Sequence, residues 1–143
     1  NQGYNCGQSV FLSHVSEFGI EQELAQRLSA PLGAGLGGLR RTCGVLTALC
    51  LLAGLRYGGY DPNDLEAKTA FYALIQRLDE EFIAEFGTSQ CAMLLANAGC
   101  SVVSTPSART AEYYASRPCA RCIRFADGLF DRHIRGTQEQ CQK

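Results

Sequence analysis

The chain has 143 residues and a mass of 15.5 kDa, the usual size of one globular domain, and residues 1–143 are read as a single unit. Hydrophobic residues make up 46% and charged residues 19%, which excludes a disordered or fibrous chain. Thirteen Lys+Arg against fourteen Asp+Glu leave a net charge of −1, so no global basic field exists to hold nucleic acid or an anionic membrane.

Nearly every segment has helical periodicity, and the expected fold is all-α: six to seven helices around a central apolar helix. Residues 5–18 place Phe11, Leu12, Val15 and Phe18 on one stripe, with Gly19 placed to end it. A short second helix over 21–30 turns Leu24, Ala25 and Leu28 inward and stops at Pro31. The glycine-rich stretch 33–38 follows as a turn.

Thr42 to Leu55 is an uncharged run of fourteen residues, N-capped by Thr42 and bracketed by Arg41 and Arg56. As a helix it spans about 21 Å, short of the ~20 residues that cross a bilayer. It is apolar on every side, so it is expected at the centre of the domain.

Asp61-Pro62 reads as the N-cap and first-turn proline of a long amphipathic helix, with Phe71, Ile75, Leu78, Phe82 and Phe86 on its inner face and Gly87 as its stop. Thr88 caps a short helix over 89–97. A loop over 100–107, helices over 107–115 and 118–134, and a polar tail from 136 complete the chain.

Several motifs are weaker than they look. The glycine stretch lacks the preceding strand that a dinucleotide fingerprint requires, although its backbone N–H groups could face an anionic centre. Cys119-Ala120-Arg121-Cys122 is a CxxC without a thioredoxin-like βαβ pattern, and Ile123 excludes a c-type haem attachment there. His14 and His133 read as partly exposed surface residues. Asp79-Glu80-Glu81 reads as a solvated helix face.

The informative residues are eight cysteines. A chain of this length buries its own core without staples, which makes chemistry a serious reason for the sulfur. Cys6 follows Asn5, Cys43 follows Thr42, Cys91 lies three residues after Thr88, and Cys119 follows Pro118. All four fall at predicted helix starts, where unpaired N–H groups and the helix dipole favour thiolate. Four thiolates converging from separate helices would suit an iron–sulfur cluster. Cys50, Cys100, Cys122 and Cys141 lie elsewhere. From this placement alone, ligation and simple packing as small hydrophobes stand level.

At Thr42-Cys43-Gly44 the sequence resembles the redox-active family named for its C-GCAxxG-C-C pattern, whose domain also forms the C-terminal part of split-Soret cytochromes. Gly3-Tyr4-Asn5-Cys6-Gly7-Gln8-Ser9-Val10, the glycine turn, Gly54-Leu55-Arg56-Tyr57-Gly58, Phe86-Gly87 before Cys91, and Cys119 before Ile123 carry the likeness along the chain.

The resemblance implies electron transfer through an iron–sulfur centre held by Cys6, Cys43, Cys91 and Cys119, with Cys122 the other candidate for the fourth position. It favours 2Fe–2S over 4Fe–4S. It also implies a redox partner such as a cytochrome or oxidoreductase, a homodimer, and an electron carrier rather than a stand-alone enzyme. Leaders on some members point to the periplasm over the cytoplasm; no signal peptide is legible before Asn1. Two departures stand out. Cys43-Gly44-Val45-Leu46-Thr47-Ala48 loses the pattern's small alanine and final glycine, and Arg40-Arg41 replace small residues, placing two guanidinium groups where they could balance a cluster's charge. The alternative reading is a disulfide-stabilised helical binding or structural domain of an oxidising compartment.

Overall fold

A computed structural model describes residues 3–136. Cys141 and the polar tail beyond 136 therefore lie outside the described residues. Seven helices and no strand occur among those described. In chain order they are α1 (Cys6–His14), α2 (Gln22–Ser29), α3 (Gly44–Tyr57), α4 (Leu65–Phe86), α5 (Cys91–Asn97), α6 (Ala111–Ser116) and α7 (Cys119–His133). Short 3₁₀ turns at Val15–Phe18 and Ala30–Leu32 extend α1 and α2.

The central helix is α3. Val45, Leu46, Ala48, Leu49, Leu52 and Ala53 are buried on it and pack with Val10 and Phe11 of α1, Leu78 and Phe82 of α4, and Ala126, Leu129 and Phe130 of α7. It is not buried all round, because Leu51 and Leu55 remain about two-fifths exposed, at 40% and 41%. Likewise α2 buries Ala25 and Ser29, while Leu24 and Leu28 face out. The long α4 follows its sequence pattern: Leu78 and Phe82 are buried, and Phe71, Ile75 and Phe86 pack against the core edge.

Helix α1 crosses α3 at a point where only glycine fits. A Cβ on Gly7 would lie 2.5 Å from Leu32 Cβ and 3.1 Å from the Gly44 carbonyl oxygen. One on Gly44 would lie 2.2 Å from the Leu32 carbonyl oxygen and 3.2 Å from Cys6 Sγ. Two backbones thus meet with nothing between them but the Leu32 turn.

Four helix starts differ from the sequence reading: α6, expected over 107–115, begins at Ala111, where the Thr110 hydroxyl caps it by accepting from Tyr113 N–H at 3.1 Å, and three others shift as follows. Asp64, not Asp61, caps α4, its carboxylate accepting from Ala67 N–H at 3.0 Å, while Asp61 shapes the preceding turn by accepting from Asn63 N–H at 2.9 Å. Cys43, not Thr42, is the N-cap of α3, because Thr42 is drawn into an antiparallel bridge with Gln90. Gln90, not Thr88, caps α5; the Thr88 hydroxyl instead accepts from Gln90 N–H at 3.1 Å. Asp61 and Thr88 are claimed by competing local hydrogen bonds, and Thr42 by pairing with a segment distant in the chain.

Both histidines are more enclosed than their sequence positions suggest. His14 is 7% exposed, stacks on Phe130 at 3.9 Å between ring centroids, and shares a hydrogen bond with Asp127 at 2.9 Å. Glu81 accepts hydrogen bonds from Arg132 (3.1 Å) and His133 (2.8 Å), tying α4 to α7. It is therefore a tie between helices rather than part of a bare solvated face. No described helix is long and apolar enough to cross a membrane.

Two predictions follow from this packing. Gly44→Ala should destabilise the fold by about 1–3 kcal/mol, because the new methyl drives into backbone; urea unfolding followed by circular dichroism measures it. Partial burial raises the Glu81 pKa, but the hydrogen bonds from Arg132 and His133 outweigh it and hold the carboxyl below its ordinary range. Its contribution is present above the ordinary carboxylate range and is lost as pH falls through the lowered value. Glu81→Gln should therefore cost at most about 1 kcal/mol at neutral pH and progressively less as pH falls through the acid range, read from melting temperatures.

Candidate metal centre

Three devices position the four helix-start cysteines. Asn5 and Gln8 form a reciprocal capping box: the Asn5 side chain accepts from Gln8 N–H at 2.8 Å, and the Gln8 side chain accepts from Asn5 N–H at 3.2 Å. This fixes Cys6 as the first residue of α1. Segment 40–43 lies against the start of α5. Cys91 N–H donates to the Arg41 carbonyl at 2.6 Å, Ala92 N–H to the Arg40 carbonyl at 3.1 Å, and Cys43 N–H to the Ser89 carbonyl at 2.8 Å. These bonds pair Cys43 with Cys91 across the start of two helices. Pro118 caps α7 and makes Cys119 its first residue, one helical turn before Cys122.

The four helix starts meet. Cys6, Cys43, Cys91 and Cys119 line one small cavity together with Cys122, and its remaining walls are Gly44, Val45, Leu94, Leu95 and Pro118. Its volume is about 20 Å³, so the sulfurs rather than open space occupy the meeting point. Among the described residues, no group of three or more His, Cys, Asp or Glu side chains stands ready to hold a metal ion as placed. All seven described cysteines are free thiols.

Around the sulfurs the polar groups are donors. The N–H groups of Ala34 and Gly7 are directed at Cys6, and those of Val45 and Leu46 at Cys43. Arg40 places Nη1 3.6 Å from Cys91 Sγ while its Nε donates to the Val103 carbonyl at 2.8 Å. Ala34 reaches Cys6 by adopting φ +55°, within a run in which Gly35, Leu36, Gly37 and Gly38 all have positive φ. Arg40 also has φ +58°. Left-handed conformations at Ala34, Leu36 and Arg40 cost energy that the surrounding structure has to offset. The glycine stretch is thus a turn that aims a backbone donor at a sulfur, and Arg40 is the one of the two adjacent arginines that contacts a cysteine.

The thiol pKa values run against the expectation from helix dipoles. Burial, followed by the charge of Cys43, pushes Cys6 up to about 11. Burial and the charges of Cys6, Cys43 and Cys91 push Cys119 up to about 12, with Arg117 opposing. A hydrogen bond with Cys122, then burial, raises Cys43 well above its ordinary value. A helix terminus contributes about 0.3–1 kcal/mol, which removal from water and crowding of like charges outweigh.

The other cysteines divide clearly. Cys122 is 1% exposed and belongs to the cluster, a placement that its CxxC spacing made legible. Cys50, part-way along α3, has its pKa raised to about 11 by burial and then by Asp79. Cys100 donates its thiol to the Ser116 carbonyl at 3.0 Å, tying the 100–110 loop to the end of α6.

The model of the family described as "Putative redox-active protein (C_GCAxxG_C_C)" matches residues 4–132. The chain belongs to this family. Searches of curated proteins and of solved structures return no match. The match spans all four helix starts, so the redox-active family's description applies to the part of the chain that builds the sulfur cluster.

In the iron-free chain, iodoacetamide at neutral pH should modify Cys6, Cys43 and Cys119 at least about tenfold more slowly than in the urea-unfolded chain, because only the thiolate reacts and all three are held as thiols. Peptide mass spectrometry after timed quenching reads this site by site.

Proposed function

We propose that this chain is an electron-transfer protein whose iron–sulfur cluster is held by Cys6, Cys43, Cys91 and Cys119. The observation that carries the reading is that four helices, far apart in sequence, each deliver a first-turn or N-cap cysteine to one apolar cavity. An all-sulfur donor set is the soft environment that iron–sulfur clusters take, and N–H groups directed at the sulfurs suit a centre carrying negative charge.

Arg117 supports the same reading. Its Nη1 is buried without a hydrogen-bond partner among the described residues, and its charge acts on Cys119. The guanidinium stacks over the Tyr113 ring at 4.3 Å, but a buried N–H without a hydrogen-bond partner is costly, and an anionic group beside it would offset that cost. Thiolates bound to a cluster would supply that charge.

When bound, the cluster would supply one-electron oxidation and reduction. The chain's own residues hold it, exclude water through Val45, Leu94 and Leu95, and set its charge balance through Arg40 and Arg117. A 2Fe–2S centre remains the favoured form, and the partner is another redox protein, a cytochrome or an oxidoreductase. A dithiol reading also has one observation behind it: Cys43 and Cys122 are hydrogen-bonded to each other.

Purification without oxygen, followed by iron, acid-labile sulfide and thiol analysis, separates the two. A brown protein with iron and sulfide in equal amounts supports the cluster. A colourless protein with two thiols fewer than the sequence contains supports a disulfide and overturns it.

Serine variants test the ligands individually. Cys6→Ser, Cys43→Ser and Cys91→Ser should lower metal affinity by roughly tenfold or more, since altering even groups beyond the ligands costs that much. Cys119→Ser should be the mildest, because Cys122 lines the same cavity and can take its place. Cys50→Ser and Cys100→Ser should retain iron. Full iron content in Cys43→Ser would mean that the ligands are wrongly assigned.

A further inference from the structure

Two of the four cysteines have a second face. Cys6 and Cys119 also line a separate cavity of about 410 Å³, bordered by residues of α1 and α7. This volume lies within the range of small-molecule sites, whereas the sulfur cavity itself holds about 20 Å³. Its lining is chemically graded. Hydroxyl groups of Tyr4, Ser9 and Ser13 and the guanidinium of Arg109 supply the polar part, while Leu12, Ala120 and Ile123 supply an apolar part.

The charge of this lining is one-sided. Arg109 is the sole Lys or Arg among the described lining residues, and no Asp, Glu or His is among them. Tyr113 positions it: Arg109 Nη1 donates to the Tyr113 hydroxyl at 2.8 Å, and the guanidinium carbon lies 4.8 Å from the centre of that ring. A planar guanidinium fixed by a neighbour loses less freedom when it binds a second group, and its fork matches a carboxylate. One cation and an apolar floor suit a monoanion with an apolar body. A multiply charged phosphate ester would want more cations than one.

We infer that this cavity is a binding site for a small organic carboxylate, held by Arg109 and placed against Cys6 and Cys119. The inference rests on the cluster reading only for its consequence: a ligand there displaces water from two of the proposed cluster ligands, so the cluster should sense it. Binding itself depends on residues of the chain and can be read without the cluster.

The test uses the iron-loaded protein and sodium benzoate. Saturation-transfer NMR reads ligand contact with the chain, and electron paramagnetic resonance of the reduced protein reads the cluster. Benzoate should bind saturably and shift the resonance, while benzylamine, of the same size and opposite charge, should not bind. Arg109→Gln should weaken benzoate binding roughly tenfold, the loss expected for a hydrogen bond to a charged group. Ala120→Phe should abolish binding by filling the cavity with no change of charge. Circular dichroism and iron content confirm that both variants fold.

Absence of saturable benzoate binding, equal binding of benzylamine, or unchanged affinity in Arg109→Gln would overturn the site. Benzoate binding by NMR with no iron or sulfide in the protein would instead keep the site and overturn the cluster.

Discussion

Everything about the sulfur site depends on how closely α1 and α3 approach. Gly7 and Gly44 leave no side chain between the two backbones, and the Leu32 turn closes over the contact. The same contact puts the Gly44 Cα beside Cys6 Sγ, so the packing that builds the core also sets the distance between the first two sulfurs. A methyl at either glycine would separate the helices, and Cys6 would leave Cys43 along with them.

Around that crossing, backbone hydrogen bonds do the placing. Residues 41–43 run against residues 89–91, and the Thr42–Gln90 bridge aligns Cys43 with Cys91. The strained turn at 33–38 and the left-handed Arg40 flank this segment and direct N–H groups and a guanidinium toward sulfur. Backbone strain concentrated beside a set of thiols is more economically explained by chemistry at the sulfurs than by stability.

The thiols illustrate a competition that helix-end arguments alone misjudge. Each lies where partial positive charge favours ionisation, yet each of Cys6, Cys43 and Cys119 is driven toward the neutral form by burial and by its neighbours. Four like charges cannot share an apolar cavity unless something positive joins them. Arg40 and Arg117 supply part of that charge from the rim, and metal ions at the centre would supply the rest. Assembly of such a site releases protons, which couples metal uptake to folding.

The sequence alone determined the all-α class, the central position of α3 and the helical order, because hydrophobic period, prolines and glycines act locally. It also singled out the four cysteines, since N-cap residues and first-turn prolines mark helix starts approximately. The exact caps moved to Asp64 and Gln90 where a local hydrogen bond held Asp61 and Thr88, and to Cys43 where a distant segment paired with Thr42. Tertiary structure decided the rest. That the four helix starts meet, that Ala34 and Arg40 face sulfur, that His14 is buried against Phe130, and that Leu51 and Leu55 stay exposed all depend on residues distant in the chain. Local pattern encodes where helices begin and which face is apolar. Only packing decides which helix ends meet.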